Sequence, residues 1–493
     1  MNTLKHFKKI LIANRGEIAI RVIRTCQKLG IKTVAVFSEA DRNSRHIRLA
    51  DQAFCLGAGP SAQSYLLADD IIKLCVENQV DAIHPGYGFL SENAGFARNL
   101  EKNGIVLIGP SAFAMDLMGS KLASKEAVAK FNVPMVPGVN KPVETEEEAI
   151  IIAKQVGFPV LIKASAGGGG KGMRVVENEK ELGSQMKMAI SEAISSFGDG
   201  AVFIEKFVEE PRHIEIQVLG DNYGNIVHLF ERECSIQRRH QKLVEEAPSA
   251  IVDDDLRSRM GEAAVNVAKA CKYSGAGTVE FLVDKHRNFF FLEMNTRLQV
   301  EHPITEMITG LDLVEQQIRV AEGHSLAFDQ SDLKINGHAI ELRVCAEDPL
   351  NDFLPNIGLI TRYEVPTGAN IRVDDFVEGG YEIPIYYDNM IAKLVVWAPT
   401  RVEAIDLMKK AIANYHIDGI KTTLEFGSFV MNNEHFISGD FDTQFIKNYY
   451  SPDKFAELKF NKSKAAAALA VHILEQAKPA VVQHSTQSGW SKR

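Results

Sequence analysis

The chain has 493 residues, 45% of them hydrophobic and 24% charged, the balance of an ordinary folded enzyme of about three domains at roughly 150 residues each. A formal net charge of −9 argues against nucleic acid as the main partner, so basic clusters such as Arg238, Arg239 and Lys242 must act locally on small anions. The 6 cysteines form no CxxC pair and no apolar run reaches the roughly 18 residues of a membrane span, which together predict a reduced, cytoplasmic protein off the membrane.

Residues 8–41 alternate strand (KKILIAN), helix (EIAIRVIRTCQKLG, apolar at Ile18, Val22 and Ile23) and strand (KTVAVFS), the opening of a doubly wound α/β unit. The turn Asn14-Arg15-Gly16 lacks the glycines that let a pyrophosphate approach, so Glu39 and Asp41 read as scaffold, not as ribose ligands. HPGYGFLSEN, residues 84–93, is a shaped loop at a strand end, with functional and purely structural readings equally open. A helix from about Ser120 carries Lys121 and Lys125, and VPMVP (133–137) is extended because residues preceding proline are pushed out of helical space, marking a boundary.

A second α/β unit sets Lys163 on a strand ahead of four glycines (167–170) and Lys171, a loop whose backbone N–H groups suit phosphates. It is not a P-loop, since Lys171 is followed by Gly172 and the spacing fails. The triplet Met186-Lys187-Met188 invites a biotinyl-lysine reading but falls in an amphipathic helix (Leu182, Met186, Ala189, Ile190, Ile194), so Lys187 is an ordinary helix lysine. AVFIEKFV ends at Glu205, Lys206, Phe207 and Val208, apolar backbone suited to a flat base. RHIEIQVLGD alternates as a strand with Arg212, His213, Glu215 and Gln217, and SIQRRHQK gathers Arg238, Arg239, His240 and Lys242 where phosphate would go.

Phe289 to Pro303, FFFLEMNTRLQVEHP, switches from an aromatic run to dense polar groups, so a buried strand emerges at a sheet edge. Glu293 and Asn295 share a strand face, and Arg297, Gln299 and Glu301 continue the alternation, which predicts a metal end and an anion end in one extended line. Thirteen residues before Glu293, Glu280 lies on another β-rich segment and is placed to pair across to it as a two-carboxylate magnesium cradle. From Gly337 short strands punctuated by Pro and Gly predict an antiparallel third domain, with Arg343 alternating with Glu341 and a closing helix from Arg401 to Asn414. The end of the chain is helix-prone (KAAAALAVHILEQ) and then polar.

The segments ILIANRGEIAIRVIR, HPGYGFLSEN, IKASAGGGGKGM, RRHQK and EMNTRLQVEHPITE resemble the biotin carboxylases, the ATP-grasp subunits of biotin-dependent carboxylases, over nearly the whole chain. The resemblance implies a doubly wound N-terminal domain (1–120), a central ATP-grasp domain (121–335) with a lid at about 135–205, an antiparallel β-rich C-terminal domain (336–450) and a helical or disordered tail (451–493). It implies ATP contacts at Lys121, Lys163, Gly169, Gly170, His213, Gln237 and His240, with Glu205, Lys206, Phe207 and Val208 as the adenine hinge. Magnesium or manganese falls to Glu280, Glu293 and Asn295, and bicarbonate to Lys242, Arg297, Gln299 and Val300. Glu301 is similar to the family's general base and Arg343 to the residue that steadies biotin's enolate.

The implied reaction carboxylates biotin through carboxyphosphate, the first half-reaction of an acyl-CoA or pyruvate carboxylase. With no carrier domain in the sequence, biotin is expected on a partner carrier protein; the other expected partners are a carboxyltransferase subunit, and a second copy of this chain in a homodimer. As base, Glu301 is expected to have its pKa raised from about 4.3 toward neutrality by burial near Glu280 and Glu293, with Arg297 opposing. The alternative is another ATP-grasp ligase that activates bicarbonate or a carboxylate for an amine acceptor.

Overall fold

The computed structural model describes residues 4–139, 141–164, 173–197, 200–239 and 241–476. Near the N-terminus, β1 (Lys9–Ile12), β2 (Lys32–Ser38), β3 (Gln52–Gly57), β4 (Ala82–His84) and β5 (Val106–Leu107) form a parallel sheet in the order β3-β2-β1-β4-β5. Its inner strands carry unbroken apolar runs, Ile10 to Ile12 and Val34 to Phe37, because helices cover both faces; Ile18, Val22 and Ile23 of the helix Gly16–Lys28 are buried, as their spacing predicts.

Strand order reverses between β1 and β4, and two loops meet there. The Asn14 amide donates to the carbonyls of Pro85 (2.8 Å) and Tyr87 (2.7 Å), fixing the HPGYG loop. Gly86, at φ +62°, fits because a Cβ would lie 2.8 Å from Asn14 Nδ2. Asp41 is buried in a two-point ion pair with Arg15 (2.6 Å), with the Tyr65 hydroxyl at 2.5 Å, so this turn is scaffold.

A second, antiparallel sheet has the order β7-β6-β8, from β6 (Val160–Ala164), β7 (Met173–Val176) and β8 (Val202–Lys206). It packs on the helices Glu146–Val156 and Glu179–Phe197, the latter burying Leu182, Met186, Ala189 and Ala193 while Ile194 is exposed. Lys187 faces outward, 3.4 Å from Glu146, an ordinary helix lysine. The proline-rich segment is extended as expected, Met135 bridging to Phe291 and Gly138 to Glu205.

The site is built on a third sheet of eight antiparallel strands. Its order is β13 (Phe289–Asn295), β12 (Gly275–Val283), β9 (Arg212–Gly220), β10 (Ile226–Arg238), β11 (Gln241–Ala247), β14 (His338–Cys345), then Met390–Ala398 and Ile371–Asp375. The strands after Gly337 therefore extend the central sheet, Val244 of β11 pairing directly with Leu342 of β14. Arg401–Ala413 forms the expected helix, opened by a Thr400–Glu403 capping box and seated through Ala404, Ile405, Met408 and Ala411. The alanine-rich segment is helical over Pro452–Gln476, and the polar end of the tail lies outside the described residues. No helix among the described residues is long and apolar enough to cross a membrane.

Candidate active site

Sheet register does much of the assembly. Arg232 of β10, Glu215 of β9, Glu280 of β12 and Glu293 of β13 are successive Cα partners across four strands, so they stand abreast on one face. The predicted pairing of Glu280 with Glu293 is thus met in register, and Thr278 pairs Asn295 one step along.

Three carboxylates in a row repel unless cations stand among them. Arg232, fully buried, donates to Glu215 Oε1 (2.6 Å), Gln217 (2.7 Å), Thr305 (2.9 Å) and Thr278 (2.9 Å). Lys242 reaches in from β11 and places its ammonium 2.5 Å from Glu215, 3.1 Å from Glu280 and 2.7 Å from Glu301. His213 Nε2 lies 3.1 Å from Glu280. Burial opposes the charge on Lys242 and on His213, but the surrounding carboxylates prevail and raise both pKa values. Burial likewise opposes ionisation of Glu280, and Lys242 with His213 overcomes it, holding the carboxyl far below the usual range.

The extended line expected from Glu293 to Glu301 breaks. β13 ends at Asn295, a turn follows, and Glu301 is the N-cap of the helix His302–Thr309, whose start is set by Pro303 and whose end by Gly310 in the left-handed region. Glu301 therefore enters from above the sheet, its oxygens taken by Lys242 and by Arg343 Nη2 (3.0 Å). Its charge state also departs from expectation. Burial favours protonation, but Lys242, Arg343 and Arg232 outweigh it and hold the carboxyl well below its ordinary value. Glu280 and Glu293 do not set this group; cations do.

Arg297 remains close to the line, bonding Asn295 Oδ1 (3.3 Å) and Gln299 Oε1 (3.1 Å), while Gln299 Nε2 is 3.5 Å from Glu280. Val300 contributes its carbonyl to the buried Lys393 ammonium at 2.9 Å. Arg343 on β14 adds a second carboxylate partner, Glu245 Oε1, at 2.6 Å.

A second group gathers on the β7-β6-β8 sheet. Glu205 receives the ammonium groups of both Lys163 and Lys125; burial favours its neutral form, but the two lysines hold it ionised. Lys206 caps the carbonyls of Gly157 (3.0 Å) and Phe158 (2.9 Å), and the Phe207 amide donates to Pro159, so the segment leading to Val208 is fixed as backbone. Lys121 opens the helix Lys121–Ala129, and Gln237 pairs with Lys242 in register. Gly169, Gly170 and His240 lie outside the described residues. Arg238 and Arg239, read as phosphate-facing, are engaged by Asp352 at 3.0 and 2.8 Å.

The sequence reading missed several positions: Arg232, Glu245, Lys393 and Glu92. Glu92 lies in the HPGYGFLSEN loop and binds the Thr296 backbone (2.9 Å) and Arg297 Nε (3.1 Å), which ties that loop to the turn after β13. The open strand-end motif was its only signal. As a cation site, Glu280, Glu293 and Asn295 fit: all offer hard oxygen donors on adjoining strands. Desolvation by the surrounding protein and the charge of Glu280 push the Glu293 carboxyl up, and a bound cation would relieve the repulsion between the two carboxylates.

A three-stranded sheet with paired lysines and an acidic face on a larger antiparallel sheet are the fold and site of the ATP-grasp class. Family models match in sequence order: "Biotin carboxylase, N-terminal domain" over 6–115, "Carbamoyl-phosphate synthase L chain, ATP binding domain" over 120–328, and "Biotin carboxylase C-terminal domain" over 341–448. The chain is 52% identical to a biotin carboxylase of Nostoc sp., covering 90% of this chain and 99% of that one. It is 51% identical to biotin carboxylase 1 of Bacillus subtilis, covering 90% of this chain and 98% of that one. Among solved structures, the biotin carboxylase domain dimer of Hydrogenobacter thermophilus 2-oxoglutarate carboxylase, in complex with MgADP, ADP and bicarbonate, is similar at a TM-score of 0.85 with 50% identity, over 90% of this chain and 98% of that one. The chain belongs to the biotin carboxylase family.

Proposed function

We propose that this protein carboxylates biotin held on a separate carrier protein, using ATP to activate bicarbonate. The carrying observation is the convergence of Lys242 and Arg343 on Glu301 beside the Glu280–Glu293 pair. An anion grip, a proton acceptor and a cation cradle in one cleft match the demands of that reaction, and family membership supports it.

Bicarbonate is a poor electrophile toward a ureido nitrogen. Transfer of the γ-phosphoryl group of ATP to a bicarbonate oxygen gives carboxyphosphate and ADP, with Lys163, Lys121 and His213 on the nucleotide and Glu205 to Val208 along its base. Glu280, Glu293 and Asn295 would hold the magnesium or manganese ion, which supplies charge neutralisation at the phosphates. Lys242, Arg297, Gln299 and Val300 hold bicarbonate. An anion bound to Lys242 competes with Glu301 for that cation, so Glu301's proton affinity rises where bicarbonate's proton must go. Carboxyphosphate then breaks into CO2 and phosphate, phosphate takes the N1′ proton of biotin, and the enolate, steadied by Arg343, attacks CO2.

In this reading the protein is a cytoplasmic homodimer that works with a biotin carrier and a carboxyltransferase subunit. Residues 1–120, 121–335 and 336–450 serve as its three domains, with a lid at about 135–205. The test is ADP release by the isolated chain with ATP, magnesium and bicarbonate, adding free biotin or ammonia last. Stimulation by biotin supports the proposal; stimulation by ammonia alone favours a ligase with an amine acceptor.

A further inference from the structure

We propose that Glu245 is a positioning residue for this reaction, holding the Arg343 guanidinium in place while Glu301 changes charge. The inference rests on the biotin carboxylase reading above. Arg343 has two carboxylate partners, joined through different nitrogens: Nε to Glu245 Oε1 at 2.6 Å and Nη2 to Glu301 Oε2 at 3.0 Å. In the proposed reaction Glu301 accepts bicarbonate's proton. Protonating Glu301 removes its Coulomb attraction for the guanidinium and leaves only a hydrogen bond to a neutral carboxyl, so Arg343 loses much of one anchor just before it must meet biotin. Glu245 is the anchor that remains.

The surroundings of Glu245 fit this use and no other evident one. It is fully buried, and its second oxygen has no hydrogen-bond partner among the described residues. A buried carboxylate with half its valence unmet is costly to fold, and an apolar residue of similar volume would fill the space more cheaply. The groups around it are Arg343 and the register partner Glu341 on β14, Glu301 on the facing turn, Lys242 on its own strand and Cys234 on β10. Burial raises the Glu245 carboxyl to about 7; Arg343 opposes that and the charge of Glu301 adds to it. Neutralising Glu301 removes one like charge, so Glu245 ionises more fully as the other anchor weakens.

The test compares wild type with Glu245→Ala and Glu245→Gln by ADP release with bicarbonate, with and without free biotin. Both variants are first checked for ATP-dependent thermal stabilisation, so that a misfolded chain is recognised. In Glu245→Ala we expect kcat for biotin-stimulated turnover to fall by about 100-fold, the scale of a reacting group misplaced by about an ångström, with the KM for ATP within about twofold of wild type. The ratio of biotin-stimulated to biotin-independent ADP release should fall with it. Glu245→Gln keeps an oxygen to accept from Nε and should recover turnover to within about tenfold of wild type. Equal losses in both activities, wild-type turnover in Glu245→Ala, or no recovery in Glu245→Gln overturn the inference. If the wild type itself shows no response to biotin, the functional reading fails instead.

Discussion

Replacing Lys242 with methionine tests the electrostatic logic of the cavity directly. The side chain keeps most of its length and loses its charge, leaving Glu215, Glu280 and Glu301 without the ammonium that lies 2.5, 3.1 and 2.7 Å from them. Breaking a buried ion pair by removing one partner costs about 3–5 kcal/mol. Here each carboxylate keeps another cation, Arg232 for Glu215, His213 for Glu280 and Arg343 for Glu301, so we expect the low end, about 3 kcal/mol at pH 7, read by urea unfolding. The sign of the pH dependence follows. The depressed pKa values of Glu280 and Glu301 contribute stability that is present above the unfolded carboxyl range, about 4.3, and is lost only below it. Without Lys242 those pKa values rise, the folded variant takes up protons, and its deficit relative to wild type shrinks between pH 7 and pH 5. A deficit under about 1 kcal/mol, or one of the same size at both pH values, refutes the reasoning.

Arg343→Ala should lower biotin-dependent turnover by about 100-fold to 1,000-fold while sparing the KM for ATP, the scale of a lost oxyanion donor; steady-state kinetics with free biotin check it. Glu246, by contrast, is a purely structural anchor, bound by Arg401 (2.7 Å) and His338 (2.8 Å). Burial disfavours its charge, yet those partners hold its carboxyl at about 2. Glu246→Gln should therefore cost about 3 kcal/mol at neutral pH, and wild type and variant should converge in urea midpoint as the pH falls from about 4.5 toward 2.

What could be read from the residues was what depends on local periodicity. The short connection between β12 and β13 makes a hairpin, so the spacing of Glu280 and Glu293 was enough to place them opposite each other. The helix expected from Arg401 to Asn414 forms over Arg401–Ala413, and the structure shows that it opens on a Thr400–Glu403 capping box. The path from Asn295 to Glu301 was misread because polar alternation outweighed a helix start that was visible: Pro303 at the first turn and Gly310 just past the last. Arg232, Glu245 and Lys393 were out of reach for a different reason. β9 is buried at all of its positions, β11 at all but Gln241, and β10 throughout its middle from Leu229 to Ile236. In strands covered on both faces, alternation no longer tells which charges meet. Their partners are distant in sequence, as with Glu245 and Arg343, and only sheet order brings them together. The Glu301 pKa was misjudged by the same blindness: burial was foreseen, and the three cations that overrule it were not.

The central claim is that the cleft makes bicarbonate itself the acceptor of the γ-phosphoryl group. With bicarbonate labelled by oxygen-18 on all three oxygens and a single turnover of ATP, mass analysis of the released phosphate reports which atom was attacked. Phosphate carrying one heavy oxygen is the expected result, since that oxygen stays with phosphorus when CO2 leaves. Unlabelled phosphate, formed by attack of water on ATP, would contradict the account.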